Sequence, residues 1–253
     1  MKYFNNRTTI RNYSSKIIDN ELLNDMLEAA AHAPTTGGMQ LYSVIVTENE
    51  EMKQRLMPCH FNQPMVAQAP VVLTFCADFN RFVKWCQQRD AEPGFDNLQS
   101  LMSAILDVTI FAQQFNTIAE MQGLGCCYIG TTAYNAKEIA EVLHLPRLVV
   151  PIITLTVGYP DESVQPVATE RLPLHGIVHH ETYQDYCAHD IDEIYAEKES
   201  LPVNQGFVKE NNKQTLAQVF TDVRYPKAVN EEFAKRLYDY IKAPNYCAIC
   251  SIL

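Results

Sequence analysis

One long apolar helix pattern, at residues 97–122, constrains this chain more than any other feature. Leu98, Leu101, Ile105, Val108, Ala112, Phe115 and Ala119 recur at alternating steps of three and four, the spacing that lines one face of an α-helix. Ala104, Phe111 and Ile118 add a second stripe. A helix that is apolar most of the way round is buried, so the segment is either a central core helix or the seam of a dimer. Gly123 stops it after about seven turns, which excludes a long coiled coil.

The flanking pattern mixes strands and helices. A helix is predicted over 20–33, opened by Asp19-Asn20-Glu21 and ended by Pro34, with a loop at 35–38. Strands are predicted at 42–47, 69–77 and 149–158, with a short one at 126–129. Helices are predicted at 50–56, 80–89 and 136–143. Beyond residue 181 the strand signal ends: an acidic helix over 181–199, a polar turn-rich stretch at 201–212, then helices at 213–223 and 230–242. Three strong strands among seven or so helices are too few for a doubly wound sheet. The predicted class is α+β, a small sheet wrapped by helices. At 253 residues the chain can bury roughly 70–75% of its unfolded surface, so the core needs no disulfide support.

Charge and motifs remove whole classes of function. A net charge of -10 argues against nucleic acid and anionic membranes as partners. Residues 1–13 lack the apolar core of a signal peptide, and the longest apolar run, 148–157, is too short to span a bilayer. A cytoplasmic protein with its eight cysteines reduced is therefore expected. The dinucleotide, P-loop, nucleophile-elbow and zinc-helix motifs are all missing. Gly123-Leu124-Gly125 follows a helix rather than a strand, and Gly130 stands at the wrong offset for a dinucleotide turn. Cys247 and Cys250 form a single C-x-x-C with no second pair. Residues 250–253 match a prenylation box without the usual basic stretch upstream. His175, His179 and His180 have no carboxylate pattern around them, and no metal is expected.

Three segments carry candidate chemistry. Arg7-Thr8-Thr9-Ile10-Arg11 puts two guanidinium forks and two hydroxyls where they can converge on an anion. Residues 33–40, Ala-Pro-Thr-Thr-Gly-Gly-Met-Gln, offer hydroxyls, open backbone and an amide at a helix-to-strand junction. In residues 123–132 glycines flank a short strand that ends in small residues. Glycine is scarce, nine in all, yet Gly37, Gly38, Gly123, Gly125 and Gly130 fall in these last two segments.

Six segments in order, R-T-T-I-R-N-Y, A-P-T-T-G-G-M-Q, Q-P-M-V-A-Q-A-P-V-V-L, G-L-G-C-C-Y-I-G, P-I-I-T-L-T-V-G-Y-P and R-L-P-L-H-G-I-V-H, resemble the FMN-dependent nitroreductase and flavin reductase family. The match is to its larger subgroup with a C-terminal helical extension, and it runs from Arg7 to Tyr183 and more weakly beyond. The resemblance implies a nitroreductase-like α+β fold, with a small, mostly antiparallel central sheet, in an intertwined homodimer. It implies an FMN-binding core over 1–180 and a helical extension over 181–253 that packs on the core and the partner subunit. FMN is held non-covalently, NADPH or NADH is the electron donor, and a nitroaromatic, quinone or free flavin accepts electrons by ping-pong hydride transfer.

Carried over residue by residue, Arg7, Thr8, Thr9 and Arg11 match the first flavin-binding segment. Thr35, Thr36 and Met39 match a loop that reaches flavin, often that of the partner subunit. Gln63 matches an amide that bonds the ring, and Tyr128, Ile129, Gly130 and Thr131 match the backbone passing its reactive N5 edge. Arg171 matches a phosphate-binding arginine. The sequence departs from the family at Thr169, where a lysine is common, at Leu41-Tyr42, where Pro-Trp is usual, and at Cys126-Cys127, where small residues are typical. No side chain is needed as nucleophile or general base, since the chemistry belongs to the flavin. A non-catalytic flavin-sequestering protein and a reductive dehalogenase on the same fold are the alternative readings.

Overall fold

The computed structural model describes residues 2–165 and 170–242. In chain order its helices and strands are α1 (Lys2–Asn5), α2 (Asn20–Ala31), β1 (Tyr42–Thr47), α3 (Glu50–Leu56), α4 (Pro64–Gln68), β2 (Val71–Asp78), α5 (Asn80–Gln87), α6 (Leu98–Met121), β3 (Gly125–Ile129), α7 (Ala136–Val142), β4 (Val149–Gly158), α8 (Ala188–Ser200), α9 (Pro202–Glu210), α10 (Leu216–Val219) and α11 (Lys227–Lys242). They form two compact units. One comprises the described residues within Thr8–Pro166 and Phe233–Leu253, the other those within Met1–Arg7 and Val167–Glu232.

The first unit is built on a sheet in the order β1-β2-β4-β3, with every neighbouring pair antiparallel. β2 lies inside that order and is buried at every position, which is why its sequence is a continuous apolar run rather than an alternation. Val108, Phe111, Ala112, Phe115 and Ala119 of α6 share one core with Leu73, Phe75, Leu155 and Val157 of the sheet. The Tyr42 ring stacks on Phe111 at 4.5 Å. Asn97 starts α6 by accepting from Ser100 N at 2.9 Å, and Gly123, at φ +79°, ends it in a conformation that suits glycine. α11 also reaches this unit: Tyr240 is buried and donates to Val149 O at 3.3 Å, and Phe233 stacks on Tyr134 at 4.5 Å.

The opposite side of α6 is different. Leu98, Met102, Leu106 and Ile110, four residues apart, are 53%, 47%, 58% and 41% exposed. One face of the helix is therefore core, while the other leaves an apolar stripe open.

In the second unit the structure corrects several expectations. The helix expected from residue 181 starts at Ala188. Glu181 has φ +62°, His179 Nδ1 accepts from Gln184 N at 3.1 Å, and Asp190 caps the helix by accepting from Cys187 N at 2.8 Å. These side-chain turns compete with helix over 179–187. Both ring nitrogens of His179 are engaged, Nε2 lying 3.1 Å from Tyr186 Oη. The polar stretch at 201–212 contains α9, because Pro202 sits in its first turn, where a missing N–H costs nothing. The helix expected over 213–223 starts later, at Leu216, opened by a Thr215–Gln218 capping box, and continues past α10 as a π-helix over Phe220–Arg224. In the first unit the structure adds α4, which the sequence pattern does not predict. Thr169 and Cys247, Cys250 and the tail at 250–253 lie outside the described residues.

Candidate functional site

The N-terminal segment is laid along the sheet edge. Ile10 N donates to Cys126 O at 3.1 Å and Ser14 N to Tyr159 O at 2.9 Å. The Tyr13 hydroxyl donates to Ile10 O at 2.9 Å and lies 2.7 Å from Thr156 Oγ1. Burial pushes the Tyr13 phenol up, so it remains a neutral donor. Two glycines make room: a Cβ on Gly125 would sit 2.6 Å from Ile10 Cγ1 and Cγ2, and one on Gly158 would sit 2.8 Å from the Tyr13 ring. This contact fixes Thr8 and Thr9, both half-buried, and the exposed Arg11 beside β3.

A second pair of segments meets at the end of β3. Ile129 is buried among Leu56, Cys59, Val66 and Ile139, so that segment can offer its backbone but not the Ile129 side chain. Tyr128 is 36% exposed and donates to Gln113 Oε1 of α6 at 3.3 Å. Gly130 is exposed, and a Cβ there would meet nothing within 4 Å. Thr131 Oγ1 lies 3.0 Å from His60 Nδ1, and Asn135 Nδ2 donates to Cys59 O at 2.7 Å. The chain then reverses through Phe61 and Asn62, at φ +54° and +55°, and delivers half-buried Gln63 to the start of α4. The His60–Thr131 contact thus ties the turn that carries Gln63 to the segment after β3.

His60 is fully buried, and burial alone pushes its imidazole from the ordinary 6.5 down to about 4. The unfolded chain therefore binds one more proton than the folded one between those values. Stability is complete above pH 6.5 and falls as pH drops towards 4. The loss is expected to reach about 3 kcal/mol. Thermal melts of wild type and His60→Asn across pH 4–7 check this, since the variant should lose that part of the slope.

The third segment, the 35–40 loop, is held by a residue that sequence reasoning missed. Asp107, buried on α6, accepts from Thr36 N at 2.8 Å, from Thr36 Oγ1 at 2.8 Å and from Leu41 N at 3.2 Å. Arg81 donates to Tyr42 O at 3.2 Å and also to Gln40 O. Gly37 and Gly38, at φ +56° and +71°, shape the turn. Thr36 is exposed, while Thr35 and Met39 are half-buried, with Met39 against Leu41 and Phe79 in a second core. A signal for Asp107 was present: it is the only carboxylate between residues 98 and 119 of an otherwise apolar helix. Asp107 and Gln113 are six positions apart, about 9 Å along the axis and on different sides of the helix. One chain therefore does not bring Thr35, Thr36 and Met39 onto the side of α6 that holds Tyr128.

Arg7 and Arg171 belong to the second unit. Arg7 is half-buried, with its N–H on Phe4 O at 3.4 Å, and Arg171 is exposed and donates to Glu170 O at 3.0 Å. Glu170 pairs with Lys198 at 3.2 Å.

Residues 5–159 match the family model described as the nitroreductase family. The chain belongs to the nitroreductase family. Among curated relatives of this nitroreductase, the FMN reductase [NAD(P)H] of Bacillus subtilis is 32% identical over 89% of this chain and 92% of its own. The oxygen-insensitive NADPH nitroreductase of Salmonella typhimurium is 31% identical over 70% of this chain and 71% of its own. Among solved structures, a Bacteroides fragilis protein shares 55% identity at a TM-score of 0.95, covering 98% of this chain and all of that one. The four-stranded antiparallel sheet wrapped by helices is the α+β nitroreductase fold.

Proposed function

We propose that this nitroreductase is an FMN-dependent NAD(P)H oxidoreductase acting by ping-pong hydride transfer on nitroaromatics, quinones or free flavins. The observations that carry the reading are an open backbone around Gly130, the His60–Thr131 bond that ties this backbone to the turn carrying Gln63, and the N-terminal segment laid on β3 at Cys126. This donor set fits a flavin mononucleotide. An amide both donates and accepts, as a pyrimidine edge requires, and an exposed guanidinium suits an anionic edge. His60 Nε2 lies next to this cluster, buried without a partner. Bound FMN supplies hydride acceptance and release at N5.

The chain's own residues bind, orient and polarise. Gln63 would bond the pyrimidine edge, and the backbone of Tyr128, Ile129, Gly130 and Thr131 would line the N5 edge. Arg11 would set positive charge by the ring, with Thr8 and Thr9 on the ribityl side. Arg7 and Arg171 are assigned to the phosphate on their sequence match. The domain reading keeps its core at 1–180 and its extension at 181–253.

The physical basis for a homodimer is α6. A second copy packed on Leu98, Met102, Leu106 and Ile110 would cover the open stripe and bring its own Thr35, Thr36 and Met39 towards this copy's flavin. Aspartate at both Leu106 and Ile110 should halve the mass seen by light scattering, because two unpaired charges cannot be buried there. An unchanged mass would refute this seam.

The test of function is optical. The purified protein, incubated with FMN and desalted, should be yellow, and NADPH or NADH under argon should bleach the flavin band. Retained flavin that neither donor bleaches would favour the sequestering alternative, and a colourless protein would end the flavin reading. Turnover with a halogenated aromatic and halide release would favour the dehalogenase. Of the described helices, none is long and apolar enough to cross a membrane.

A further inference from the structure

We propose that His60 is a positioning residue of the flavin site, its ring tying the residue 129–131 segment to the turn that carries Gln63. This rests on the reading that the site holds FMN. His60 is 0% exposed, with Nδ1 3.0 Å from Thr131 Oγ1. Its carbonyl accepts from Gln63 N at 3.2 Å, so one residue holds one segment by its side chain and the other by its main chain. The link between His60 and Gln63 passes through Phe61 and Asn62, both left-handed and neither glycine. Such a pair is unfavourable and persists only where its surroundings over-determine it. The Asn135–Cys59 bond, at 2.7 Å, anchors the turn just before His60.

Packing alone does not account for an imidazole here. Its second nitrogen, Nε2, is buried with no partner, a cost that an apolar side chain would not carry. Of the two ring nitrogens, Nδ1 is the one that meets a partner, Thr131 Oγ1. The consequence is a fixed spacing between the Gln63 amide and the backbone of residues 129–131. A cofactor ring gripped between them would bind less tightly, and with altered electronics, once the tie is cut.

The experiment compares His60→Phe, His60→Asn, Thr131→Val and the double variant His60→Phe/Thr131→Val. FMN is titrated into each apo-protein with quenching of flavin fluorescence as the readout, and the midpoint potential of the bound flavin is measured. His60→Phe and Thr131→Val should each raise the FMN Kd about fivefold to tenfold, the loss of one hydrogen bond. The double variant should be no weaker than either single one. His60→Asn keeps a polar atom near the Nδ1 position and should return to within about twofold, since most of the bond is restored. The potential should move in the same direction in both single variants and return in His60→Asn, which a merely structural role would not produce. Wild-type affinity and potential in His60→Phe, or strictly multiplicative losses in the double variant, would overturn the proposal. Wild type that fails to bind FMN overturns the flavin reading itself, whereas wild type that binds FMN beside unaffected variants overturns only the role of His60. If His60→Phe does not fold, Thr131→Val and His60→Asn carry the same comparison.

Discussion

Alanine at Gly125 is expected to lower stability by about 2–3 kcal/mol and to weaken FMN binding at least about tenfold, because overpacking strains a buried contact. The new Cβ would lie 2.6 Å from Ile10 Cγ1 and Cγ2, well inside van der Waals contact. Gly125 cannot retreat, since β3 is paired with β4 through Gly125↔Gly158 and Cys126↔Val157. The N-terminal segment must therefore move, and it takes Thr8, Thr9 and Arg11 with it. Thermal melts and FMN titration read the two effects separately. Ile10→Ala in the Gly125→Ala background removes the colliding γ-carbons and should recover much of both losses. A Gly125→Ala protein with unchanged melting and unchanged FMN affinity would show that the close approach of Ile10 does not position this segment.

Removing the Asp107 carboxylate is the second large effect. Asp107→Ala strands the buried Leu41 N–H and releases both donors of Thr36. Water can reach Thr36, which is exposed, but not the Leu41 amide. Hydrogen bonds to a charged acceptor are each worth about 1.5–3 kcal/mol, so a net loss of about 3 kcal/mol is expected. Asp107→Asn should do almost as badly. Its oxygen can serve one side of the loop, but its NH2 group then points at a donor on the other. If the 35–40 loop serves the flavin site, both variants also lose FMN, whereas Asp107→Ala with wild-type stability would show that Arg81 and the glycine turn hold the loop unaided.

Much of the fold was legible in the sequence because its signals are local. The 3-4 periodicity of 98–119 gave α6, Asn97 and Gly123 gave its ends, and the β-branched runs gave β1, β2 and β4. The C-terminal region was read less well, and for a physical reason. Its boundaries depend on which of several nearby polar side chains bonds the backbone, a choice that residue type alone leaves open: His179 on Gln184, Asp190 on Cys187, Asn204 on Lys198. Polar residues look like turn formers until those partners are seen, so α9 read as loop and α8 started too early. The candidate site divides in the same way. Thr8, Thr9, Arg11, Gln63 and residues 128–131 could be named from motifs, but Asp107 and His60 could not, since each acts on residues 66–71 positions away.

The sequence by itself determined the α+β class and the long apolar helix, because periodicity and capping are properties of neighbours along the chain, and its ordered motifs carried the resemblance that implies a flavin site. Only the tertiary structure decided what holds the candidate segments in place. The Ile10–Gly125 contact, the Asp107 clamp and the His60–Thr131 tie join segments far apart in sequence, and their energies come from burial and hydrogen-bond geometry that exist only once the chain has packed.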